Sequence, residues 1–170
     1  MLSIPGNERV MNPDDIIVSK TDLKGNLTYA NEIFLSIADF RLAEVIGKQH
    51  SLVRNDAMPR AVFKLLWSRI EAGREIFAYV VNRTKGGDYY WVLAHVTPSR
   101  DASGQVVGYH SNRRKPDPKA LARIKELYVT LLAEEARAAN RKEGLVASWA
   151  LLQKILNEKG MDYDEYVLSL

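Results

Sequence analysis

Three β-patterned runs follow one another between Ile76 and Arg113 with almost nothing between them. Lys85-Gly86-Gly87-Asp88 separates the first from the second, and Asp101-Ala102-Ser103-Gly104 the second from the third. Both are turn sequences, and turns this short join antiparallel neighbours. The middle run alternates strictly. Tyr90, Val92, Ala94 and Val96 share one face, and Trp91, Leu93, His95 and Thr97 share the other. With the first face lining an interior, the second leaves Trp91 and Leu93 to the solvent. Leaving such side chains uncovered forfeits about 1.5–3 kcal/mol each, so a cover is expected. The candidates are residues 1–13, the apolar stripe Leu121-Ile124-Tyr128-Leu131, or a second copy of the chain.

Two further strands precede this meander. Ile16 to Thr21 is a β-branched run, Gly25-Asn26 supplies turn chemistry, and Leu27 to Ala30 returns as a hairpin. Asn31 stands before Glu32-Ile33-Phe34, placed to cap a short helix. Residues 41–57 read as short helical pieces broken at Gly47. From Met58 to Gly73 the spacing of Val62, Phe63, Leu66, Trp67 and Ile70 predicts an amphipathic helix with one apolar face and Pro59 in its first turn. After Pro116 and Pro118 the chain reads as helical from Lys119 to about Lys142. A break at Gly144, a second helix from Leu145 to Lys159 and a short final helix opened by Asp162 follow. The layout is α+β. Two early and three late strands form one antiparallel sheet with short helices over one face, a layout that encloses a pocket. Residues 1–13 read as an arm or cap, 14–116 as the domain and 117–170 as a helical segment.

Composition excludes several functions. No cysteine occurs, so disulfides, thiolate metal sites and cysteine nucleophiles are ruled out. No apolar run is long enough to span a bilayer, and Met1 to Gly6 lacks the pattern of a secretory signal. A cytoplasmic protein is expected. The net charge of +3 is scattered, and the one cluster, Arg113-Arg114-Lys115, reads as a solvated strand end rather than a nucleic-acid patch.

The segment from Asp22 to Pro116 resembles a PAS domain of the bacterial aerotaxis-receptor type. The matching pieces are Leu27-Thr28-Tyr29-Ala30-Asn31-Glu32-Ile33-Phe34, Val53-Arg54 leading to Met58-Pro59, and Val62-Phe63 with Leu66-Trp67 and Ile70. They continue with Asn82-Arg83, Lys85, Gly87-Asp88, Tyr90-Trp91-Val92 and Gly108-Tyr109. The resemblance implies a five-stranded PAS sheet with flavin adenine dinucleotide (FAD) held between sheet and helices. It also implies a sensor of redox or energy state that signals by protein contact to a chemoreceptor or histidine kinase. A homodimer is expected, with the stripe Leu121-Ile124-Tyr128-Leu131 able to pack in it. PAS domains of other types hold haem, another small molecule, or nothing. Flavin-binding relatives carry Arg-His-Pro-Asp-Met-Pro where this chain reads Arg54-Asn55-Asp56-Ala57-Met58-Pro59. The resemblance carries over Arg54 as a partner for the diphosphate, and Asn31, Trp67 and Asn82 as residues that line or approach the flavin.

Each of these has a plainer reading. Asn31 is explained by capping alone, Trp67 by its place in an apolar stripe, and Arg54 by a surface ion pair. Asn82 is unusual for a strand and needs a partner where it points inward. Haem would require an axial histidine. Among His50, His95 and His110, only His50 is placed for that role, and His95 is expected to face away from the pocket. No nucleophile elbow, phosphate loop or metal-spaced His–carboxylate pair appears, so neither catalytic nor metal-ligating residues are assigned and an enzyme is not expected. Without cysteine, flavin–thiol photochemistry is also excluded.

Overall fold

The computed structural model describes residues 2–170. Strand β1 (Ile17–Asp22) and strand β2 (Leu27–Ala30) form the first hairpin. Helix α1 (Glu32–Ala38), helix α2 (Leu42–Val45), a 3-10 turn at His50–Val53 and helix α3 (Arg60–Glu71) follow. The meander is β3 (Ile76–Arg83), β4 (Tyr89–Arg100) and β5 (Val106–Arg114). The tail is α4 (Pro118–Arg137), α5 (Arg141–Lys159) and α6 (Tyr163–Leu168). All strands join one antiparallel sheet in the order β2-β1-β5-β4-β3. The expected α+β layout is the one the chain adopts.

Helices α1 to α3 lie against one face, and the core between the layers brings Phe34 and Val62 from the helices against Ile17, Val80, Val92 and Ala94 from the sheet. The alternation in β4 holds, with Ala94 and Val96 facing the interior and His95 facing away, stacked on Phe77 at 4.1 Å. The outer face over β3 and β4 is covered by the chain's own tail. The ring of Tyr128 lies 6.0 Å from that of Trp91, which is only 2% exposed. Three groups on the free side of β3 are tied down as well. The Phe77 amide donates to the Asp164 carboxylate at 2.8 Å, the Tyr79 carbonyl accepts the Tyr128 hydroxyl at 2.5 Å, and the Val81 amide donates to Met58 Sδ at 3.3 Å. Helix α5 packs on both α4 and α3, so the tail wraps from the outer face round the β3 edge to the helical layer.

Three boundaries differ from the sequence expectation. Helix α3 begins at Arg60, with Pro59 outside it as the capping residue. The long helix stops at Arg137, because Asn140 starts a new one by accepting from the Lys142 and Glu143 amides. Gly144 therefore lies inside α5 and breaks nothing. It is a point of close approach: a Cβ there would meet the Glu135 carbonyl oxygen at 2.6 Å. Within the arm, Asn7 and Arg9 pair their backbones with Tyr89, and the Arg9 side chain meets Asp88 at 3.1 Å. Among the described residues, no helix is long and apolar enough to cross a membrane.

Candidate functional site

Between α3 and the inner sheet face lies a cavity of about 210 Å³. Its apolar walls are Phe63, Leu66, Trp67 and Ile70 from α3, with Val80, Ala94 and Val96 from the sheet. The stripe of α3 is thus divided. Val62 and Leu65 are buried in the core, while Phe63, Leu66 and Trp67 are half-buried around the cavity. At one side the Trp67 ring meets Tyr109 edge-on at 5.8 Å, and the β1–β2 turn closes over it. Gly25, at φ +81°, comes so near that a Cβ would sit 3.1 Å from the indole.

The polar lining comes from β1, β3, β5 and the 3-10 turn. Asn82 is 3% exposed and lines the cavity, with Arg54 bridged to it across a short antiparallel contact. The guanidinium of Arg54 lies over the Phe63 ring at 3.9 Å. Arg113 is 4% exposed, where the sequence suggested a solvated strand end. The alternation of β5 decides this: Tyr109, Ser111 and Arg113 share the inner face, and Arg114 takes the outer, exposed position. Arg113 donates to Ser19 Oγ at 2.8 Å and to His50 Nε2 at 2.7 Å, with Phe34 beneath its guanidinium. No carboxylate pairs with it among the described residues. Its Nη1 and the Ser111 Oγ are buried with no hydrogen-bond partner. Burial lowers the Arg113 pKa to about 10, and burial followed by the charge of Arg113 lowers that of His50 to about 3.

Of the residues the resemblance pointed to, Arg54, Trp67 and Asn82 meet in this cavity. Asn31 does not. Its Oδ1 accepts from the Phe34 and Val18 amides at 3.0 Å, and its Nδ2 donates to the Ile16 carbonyl at 2.8 Å, so the side chain is spent on joining α1 to β1. Asn55 is likewise spent on a turn, accepting from the Ala57 amide at 2.9 Å, while Asp56 is exposed. Arg113, Ser111 and Ser19 were missed. Their inward phase in β1 and β5 was readable from alternation, but the adjoining Arg114 and Lys115 made Arg113 look like part of a solvated run.

A buried guanidinium without a carboxylate is costly, because desolvation is repaid only by full pairing. Together with an unpaired hydroxyl and an amide, it makes a wall that supplies donors to an electron-rich edge. The opposite walls suit a flat apolar body. A flavin ring system fits that chemistry, since it is planar and carries carbonyl oxygens and ring nitrogens along one edge. The residues present therefore match the ring system of the flavin that the resemblance implies.

The family model described as the PAS fold matches residues 27–113. The chain is 34% identical over 143 residues to the aerotaxis receptor of Escherichia coli (strain K12), covering 84% of this chain and 28% of that receptor. It is 24% identical to the nitrogen fixation regulatory protein of Klebsiella pneumoniae, over 58% of this chain and 20% of that protein. The chain thus spans under a third of each of these relatives. Among solved structures, the dark state of the blue-light photoreceptor Aureochrome1 LOV superposes with a TM-score of 0.56 at 23% identity. It covers 69% of this chain and 84% of its own. A Light-Oxygen-Voltage domain studied with a flavin analogue gives 0.55 at 25% identity, covering 65% of this chain and 85% of its own.

Proposed function

The chain belongs to the PAS fold family, and from that premise we propose that it is a sensor that binds FAD without catalysing a reaction of its own. The observation that carries the reading is the buried, carboxylate-free guanidinium of Arg113 in the cavity wall, beside the unpaired Ser111 hydroxyl. Bound there, a flavin supplies reversible electron chemistry. The chain's own residues supply the rest. Arg113 and Ser111 would donate to the acceptor edge, Asn82 would offer an amide that both donates and accepts, and Trp67 with Phe63 would wall the ring from water. His50 holds Arg113 in place through Nε2.

The signal would leave through β3. This strand carries Asn82 on its cavity side, and three residues away the Tyr79 carbonyl is bonded to Tyr128 of the tail. A change of hydrogen bonding at Asn82 therefore has one strand to cross before it reaches α4. The partner in this reading is a chemoreceptor or histidine kinase in the cytoplasm. A homodimer would have to use surface other than the sheet face over β3 and β4, since α4 and α6 occupy it. Two alternatives have less support. A cofactor-free module would leave Arg113 and Ser111 unsatisfied permanently. A haem would need His50 Nε2, which already accepts from Arg113.

The test is the absorption spectrum of the purified protein, before and after incubation with excess FAD, with mass analysis of whatever denaturation releases. A flavin spectrum and released FAD support the reading. A protein that stays colourless defeats it, and a single intense Soret band assigns haem instead.

A further inference from the structure

We infer that the α4–α5 hairpin completes the ligand site, and that a cleft between it and the start of α3 holds the diphosphate of a flavin dinucleotide. The inference rests on the flavin reading above and adds a second subsite, one wall of which, with Glu135 and Arg141, lies beyond the matched family segment. The cavity of about 210 Å³ is smaller than the roughly 300–1,000 Å³ of pockets that engulf a drug-sized ligand. It has room for a ring system, so anything attached to the ring must continue outside it. Arg54 marks one direction in which it can continue, because Arg54 lines both this cavity and a neighbouring cleft of about 560 Å³. The other walls of that cleft include Asp56, Arg60, Glu135 and Arg141.

The charges in the cleft are not balanced. Glu135 is 7% exposed and fully engaged. It accepts from the Arg60 amide and Nε at 2.7 Å each and from the Ser148 hydroxyl at 2.9 Å. It pairs with Arg60 and makes no ion pair with Arg54 or Arg141. The guanidinium of Arg54 has only the Phe63 ring beneath it, and that of Arg141 makes no ion pair among the described residues. Asp56 is the one acidic side chain of the cleft left to answer both. Burial depresses the Arg54 pKa, and the charges of Arg141 and Arg60 add to this, opposed by Asp56 and Glu135. Two unpaired guanidinium groups beside a cavity mouth suit a group that carries two linked negative charges, because each fork matches a phosphate. The backbone at Arg141 is held by Arg60: its Nη1 donates to the Arg141 carbonyl at 2.6 Å, which pins the start of α5 against the segment that carries Arg54.

The experiment titrates the ligand-free full chain with FAD, flavin mononucleotide and riboflavin, following flavin fluorescence, in wild type, Arg141→Glu and Arg137→Glu. Arg141 is exposed at the first turn of α5, where a carboxylate suits the helix N-terminus, so the substitution spares the fold. Arg137 is an exposed tail residue outside the cleft and serves as the control. Wild type is expected to bind FAD about tenfold or more tighter than riboflavin. R141E should lose most of that preference while its riboflavin affinity stays unchanged, and R137E should keep it. Equal affinity of wild type for the three flavins overturns the subsite, as does an R141E that binds FAD like wild type or loses FAD and riboflavin alike. A wild type that binds none of the three overturns the flavin reading, and this inference with it.

Discussion

The Arg113 guanidinium donates to Nε2 of His50 across 2.7 Å, so a buried cation rests on an imidazole instead of a carboxylate. Arginine has no acceptor, so Nε2 must accept and His50 is neutral. Its pKa falls to about 3 through burial and then the charge of Arg113. In the unfolded chain the ring titrates near 6.5. Between those values the unfolded state binds the extra proton, so the stability tied to neutral His50 is complete above the unfolded pKa and drains away as pH falls toward the folded one. Urea unfolding between about pH 6 and pH 4 should show wild type losing about 1.4 kcal/mol per pH unit more than His50→Gln. Identical acid slopes would mean that His50 takes up its proton freely within the fold.

Replacing Arg113 itself separates ligand binding from folding. Without ligand the guanidinium is buried and incompletely paired, so Arg113→Gln should change the unfolding free energy by less than about 1 kcal/mol. Flavin affinity should fall about tenfold or more, because the acceptor edge loses a charged donor. Arg114→Gln, on the exposed outer position of the same strand, should change neither. Isothermal titration beside thermal unfolding reads both quantities. A strongly destabilised R113Q with intact affinity would recast Arg113 as a purely structural residue.

Tyr128 joins the tail to the sheet. Its hydroxyl donates to the Tyr79 carbonyl at 2.5 Å and lies 3.3 Å from the Tyr163 hydroxyl, all within the buried core. Tyr128→Phe keeps the ring and strands both partners, a loss of about 1–3 kcal/mol. Amide hydrogen exchange should rise first in α6 and at the β3 edge. Unchanged exchange there would show that apolar packing alone holds the tail.

Gly144→Ala adds a single methyl where α5 crosses the end of α4. That methyl would sit 2.6 Å from the Glu135 carbonyl oxygen, which is backbone and cannot swing aside. The helices must move apart, at a cost of about 1–3 kcal/mol. The displacement also pulls on the Glu135–Arg60 pair. Denaturant midpoints of the variant and of Ala147→Gly, a nearby half-buried position, would check this. A stabilised G144A, the usual result of adding Cβ inside a helix, would contradict the close approach.

The sheet was legible because its signals are local. Alternation in β4, two Gly-containing turns and the Asn31 cap need no knowledge of distant residues. The cavity was half legible for the same reason: Trp67 and Asn82 carry their phase in their own elements. Arg113 was obscured because a basic residue next to two others reads as solvated, and only the strand register shows that it alone turns inward. Gly144 was misread since glycine signals a break only when a cap agrees, and here the cap is Asn140. The cover over Trp91 was anticipated as a need. Which of three segments met it depended on tertiary packing that no local pattern encodes.

The bonds along the free side of β3 bear on how this domain can be divided. Met58 stays with any piece that keeps residues 27–113, but Asp164 and Tyr128 do not. Cut there, the chain would expose the Phe77 amide and Tyr79 carbonyl along a strand that reads Ile-Phe-Ala-Tyr-Val-Val. Such a row is a template onto which another copy can add its own strand, and an apolar, uncharged segment is the kind that propagates into aggregates. The helical tail thus ends the sheet chemically, and an expression boundary placed at the edge of the family match would remove its terminus.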